Sequence, residues 1–92
     1  MTTTTLLEDD RLVMGAIFPL FGETVQHRYT RNRSQDQNPG EALANSLPPC
    51  FVDDLDTREP ELMAQLRAAS AADFAPVFAV LRVADELLPA AR

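Results

Sequence analysis

Residues 73–89, DFAPVFAVLRVADELLP, decide how the chain is read. Proline is tolerated in the first turn of a helix, where its missing N–H has no intrahelical partner to lose, and it stops a helix that it follows. Pro76 and Pro89 stand at those two places and frame a helix from about 73 to 88. Inside the frame Phe74, Val77, Phe78, Val80, Leu81, Val83, Leu87 and Leu88 recur at helical steps, while Arg82, Asp85 and Glu86 share one narrow face. A helix apolar over most of its circumference is buried on most sides, at the centre of a bundle or against a partner. The preceding Ser70-Ala71-Ala72-Asp73 has the spacing of a capping box.

A second apolar stretch lies near the N-terminus. Thr5-Leu6-Leu7-Glu8 also fits a capping box, and Asp9 and Asp10 follow where negative charge favours the positive end of a helix. Leu6, Val13, Ile17 and Leu20, beside Leu7, Met14, Phe18 and Phe21, predict a helix over about 6–18. Pro19 is expected to kink or end it. Residues 23–30, ETVQHRYT, fit two patterns. Val25, His27 and Tyr29 alternate as on a strand, and Ile17, Phe21, Val25 and Tyr29 step by four as on a helix. The helix is preferred, because no second strand-like run exists to pair with the first.

Residues 32–38, NRSQDQN, carry no apolar side chain and predict a solvated loop. Asn38-Pro39-Gly40-Glu41 has a cap residue, a first-turn proline and an early acid, the marks of a helix start. Pro48-Pro49 is expected to stop that helix and open a connector over 48–57, anchored by Phe51, Val52 and Leu55. Thr57 is the expected cap of a further helix, with Pro60 in its first turn. Leu62, Met63, Leu66 and Ala69 would face inward on it, and Glu61, Gln65 and Arg67 outward. The expected fold is one all-α domain over 1–92, a small bundle of three to four short helices with a loose tail at 1–4. An α+β arrangement with 23–30 as an edge strand is the alternative.

Composition bounds the function. The chain has 92 residues, 46% hydrophobic and 24% charged, the proportions of a globular protein. A core of this size leaves a thin stability margin, which association with another chain would widen. Fourteen acids oppose eight bases, all of them arginine, for a net charge of −6. That balance opposes broad binding to nucleic acid or anionic lipid. The lysine-free, alanine-rich usage goes with GC-rich coding of the bacterial or viral kind. Cys50 is the single cysteine, so no internal disulfide can form. The apolar run 12–21 is about half a membrane span, and MTTTTLLEDD lacks the basic start of a secretory signal. The expected compartment is the cytoplasm.

Catalytic patterns are weak. His27 and Cys50 are each alone of their type, and nothing in the sequence brings them together as a nucleophile pair. No cluster of ligands surrounds His27, and Asp53-Asp54-Leu55-Asp56 lacks the glycine and glutamate that a calcium loop needs. The three glycines form no phosphate-binding loop. No enzyme, metal or cofactor is therefore expected. Three surfaces remain as candidates for contact with another protein or with a second copy of the chain. They are the apolar face of Phe74, Val77, Phe78, Leu81 and Leu88, the run containing Arg28, Tyr29, Arg31 and Arg33, and the acids Asp53, Asp54 and Asp56, and after the last helix the N-terminal helix is the next apolar candidate. The expected function is a small acidic interaction module, an adaptor, regulator or inhibitor. The alternatives are an acidic mimic of nucleic acid, or weak nucleic-acid binding through Arg28, Arg31 and Arg33.

Overall fold

The computed structural model describes residues 7–88, which form six helices and no strand among them. These are α1 (Glu8–Phe21), α2 (Glu23–Ser34), α3 (Pro39–Ser46), α4 (Pro49–Arg58), α5 (Pro60–Ala68) and α6 (Ala75–Leu87). The all-α class holds with more helices than expected, and residues 23–30 are helical rather than an edge strand.

The extra helix is α4, which occupies the stretch expected to be a connector over 48–57. Pro48 keeps the extended backbone that a following proline enforces, while Pro49 sits at the first helical position, where no N–H donor is needed. The pair therefore ends one helix and starts the next. Leu55 is buried and Phe51 and Val52 are half-buried on the same face, so the anchors are helical ones. Thr57 lies inside α4 and donates to the Asp53 carbonyl, so it does not cap α5, which Glu59 precedes.

Other boundaries also move. Pro19 lies within α1, and the helix ends at Gly22, whose φ of 93° suits a residue without a side chain. Gly22 is also the whole link to α2, so α1 and α2 form a tight hairpin. The expected loop shrinks because α2 runs to Ser34. Thr5 lies outside the described residues, and α1 begins at Glu8, two residues later than expected. The Asp10 carboxylate accepts the Leu7 amide at 2.9 Å and supplies the cap there. Before α6, Asp73 accepts from the Ala75 amide at 3.0 Å, and Ser70 closes only a local turn with Ala72.

The helices close a ring. α1 packs on α2, α2 on α3, α3 on α5, α5 on α6 and α6 back on α1, with α4 against α5. α6 meets α1, α3 and α5, which accounts for its nearly all-round apolar surface. Val13, Ile17, Leu43, Met63, Leu66, Val77 and Val80 are fully buried at the centre. Phe51 of α4 sets its ring edge-on to Phe21 of α1, with centroids 5.2 Å apart.

A buried polar network fastens the hairpin. Asp10 of α1 has no solvent exposure. It accepts from the Tyr29 hydroxyl at 2.6 Å and from Arg33 Nε at 2.9 Å, both on one oxygen. Its other oxygen accepts from the second Arg33 nitrogen at 3.1 Å as well as from the Leu7 amide. The remaining Arg33 nitrogen donates to the Gln37 carbonyl at 2.8 Å, so the network reaches the loop before α3. Burial pushes the Asp10 carboxyl upward, but hydrogen bonds from Arg33, Tyr29 and the Leu7 amide prevail and hold it below its ordinary value of 3.8. Burial, reinforced by the Asp10 carboxylate, pushes the Tyr29 hydroxyl well above its ordinary value, so it stays neutral.

A Cβ on Gly40 would overlap the Leu66 carbonyl oxygen where α3 crosses α5. Alanine normally improves a helix by about 1 kcal/mol, but overpacking of this kind costs about 1–3 kcal/mol. Gly40→Ala should therefore lower stability by about 2 kcal/mol in urea denaturation, and an unchanged or raised midpoint would contradict the close crossing. Asp10→Asn leaves a buried arginine without its counter-charge and should cost about 3–5 kcal/mol, more than the roughly 2 kcal/mol of Tyr29→Phe. Because the Asp10 carboxyl is lowered on folding, its contribution is complete above the unfolded value and lost as pH falls through the folded one. Denaturation midpoints of the parent chain should drop below pH ~4, and Asp10→Asn should flatten that limb.

Candidate functional site

The candidate contact residues separate by burial. Tyr29 and Arg33, expected on a partner surface, point inward and are consumed by Asp10, which corrects that reading. Arg28 and Arg31 remain exposed on the outer side of α2. Their neighbour His27 stands 3.5 Å from Glu23, one turn earlier on the same helix. The locally basic run thus presents two of its three arginines, with an acid beside them.

The acidic segment is also partly answered from within. Arg58 contacts Asp54 at 3.0 Å along α4, and Arg67 of α5 holds Asp56 with two hydrogen bonds of 2.8 and 3.0 Å. The Arg67 hydrogen bonds hold the Asp56 carboxyl below its ordinary range. Asp53 is exposed at the edge of a shallow depression shared with Asn45, Leu47 and Val52. Cys50 is exposed in the first turn of α4, while His27 lies on α2. Among the described residues no group of three or more histidine, cysteine or acidic side chains could hold a metal ion.

The apolar face of the last helix divides likewise. Phe74 and Val77 are buried in the core, and Leu88 is half-buried just past the end of α6. Phe78, half-buried, and Leu81, only 4% exposed, line one wall of an open groove between α1 and α6. Ala16, Pro19 and Leu20 form the opposite wall. Arg82 and Asp85 complete the lining on the α6 side, and the groove encloses about 470 Å³. That is the volume range of a small-ligand cleft, though it is open along its length like a seat for a side-chain ridge. No helix among the described residues is long and apolar enough to cross a membrane.

In the sequence the N-terminal helix ranks second to the last helix as a binding surface. The residues of the α1 wall are not separable there from its core side, because they belong to a run apolar in every direction. One indication was present. Leu12 falls off the Val13–Ile17 stripe, and it is 58% exposed one turn before Ala16. Phe18, 54% exposed, lies on the other flank of the same helix.

The chain matches no known protein family, no curated protein and no solved structure in comparisons with each.

Proposed function

We propose that this chain is a small non-enzymatic helical module that acts by docking another polypeptide along the α1–α6 groove. The observation that carries the reading is the groove itself. A wall of Ala16, Pro19 and Leu20 faces a wall of Phe78 and Leu81, with charge at one side only. Apolar surface left open on so small a domain gains by being covered, and a ridge of side chains can enter a cleft of this shape. Docking there would regulate or tether the partner without chemistry on it.

The acidic-mimic reading draws less support, because Asp54 and Asp56 already hold arginines of their own chain. Contact with nucleic acid draws less as well. Arg33 is committed to Asp10, and neutralising few phosphates yields little affinity.

A photo-crosslinking residue at position 20 tests the docking reading. Leu20 is half-buried at the groove, so the substitution leaves the centre of the core intact. Illumination in cells of the source should give one discrete adduct, abolished by Phe78→Glu in a chain that keeps its helical circular dichroism. A scatter of products no stronger than from a probe at exposed Arg28 would overturn the proposal.

A further inference from the structure

Resting on the docking reading, we infer that the occupant of the groove is a second copy of this chain, bound about a two-fold axis between the two α1 helices. Asp9, Leu12, Gly15, Ala16 and Pro19 follow at three- and four-residue steps and share one side of α1. Leu12 is the most exposed large apolar side chain among the described residues, at 58%. Nothing stands within 4 Å of where a side chain on Gly15 would begin.

The order Leu12, Gly15, Ala16, Pro19 is bulky, small, small, bulky, and it keeps that form when reversed. A two-fold contact pairs each residue with its counterpart across the axis, and this order sets the small residues together at the crossing with the bulky ones to either side. Antiparallel crossing of the two α1 helices between Gly15 and Ala16 brings Leu12 of one copy over Pro19 of the other. Pro19 lines the groove, so each Leu12 becomes the ridge that fills the other copy's cleft.

Charge agrees with the same arrangement. Asp9 lies one turn before Leu12, and Arg82 sits on the groove. Among the described residues neither takes part in an ion pair. In this arrangement Asp9 of each copy pairs with Arg82 of the other, in a lining where Arg82 is the one base and Asp85 the one acid. Asp9 and Arg82 are both exposed in the single copy, so neither pays burial before the contact forms.

Sedimentation of the purified full chain from about 1 to about 300 µM should show conversion to twice the 10.2 kDa mass. Leu12→Glu should remain monomeric throughout, with its circular dichroism unchanged, because Leu12 is a surface residue in the single copy. Asp9→Arg and Arg82→Glu should each weaken the dimer about tenfold, and the two together should recover most of that loss. A parent chain that stays monomeric overturns the inference, as does a dimer indifferent to Leu12→Glu or a charge swap without recovery. The probe at position 20 separates this outcome from failure of the docking reading. An adduct of twice the chain mass supports a second copy. An adduct with a different polypeptide overturns the second copy and keeps the groove as a docking site, and no adduct overturns both.

Discussion

A buried carboxylate sets the terms for one half of this molecule. Asp10 gives up all contact with solvent, so it must be met by donors from its own chain. It takes Tyr29 and Arg33 from α2 and the Leu7 amide from the start of α1. Arg33 then reaches the Gln37 carbonyl, and the neighbouring Asn32 reaches the Ala42 carbonyl in α3. Removal of any one donor leaves a charged group short of partners in a medium of low polarity, so the network holds as a unit. It aligns three helices before apolar packing is considered. The other half, α5 and α6, is placed by shape. Gly40 lets α3 approach the Leu66 backbone, and Val77, Val80 and Ala84 bury the inner side of α6.

The groove is a by-product of these two modes. Polar bonds tie α1 to α2, and packing ties α6 to α5 and α3. Where α1 and α6 meet, small Ala16 and ring-closed Pro19 face Phe78 and Leu81 without filling the space between them. A larger residue at Ala16 would narrow it.

Part of this was legible in the sequence. The framing prolines and dense apolar steps of 73–88 specify α6, and Asn38-Pro39-Gly40-Glu41 specifies α3, because those features act within a single turn. The helical character of 23–30 was legible from the four-residue steps through Tyr29. α4 was misread because proline's effect depends on which end of a helix it occupies, and Pro49 serves as a start. Arg33 was misread for a different reason. It stands in a polar run that looks solvated, and the acid that buries it lies 23 residues upstream. Phe78 and Leu81 stood out in the sequence only as members of an apolar helix face, and the groove they line did not, since its opposite wall comes from the far end of the chain. Pairing at a distance leaves no local pattern.

Gly22 alone joins the two helices of the hairpin. A one-residue turn at one end and the Asp10–Arg33 clamp at the other deny the hairpin any freedom to slide lengthwise. The α1 side of the cleft is thus a fixed jaw. Any change of gape would fall to α6, the jaw seated on the oily layer of Val77, Val80 and Leu81. Such a layer tolerates small lateral creep where a bidentate ion pair does not.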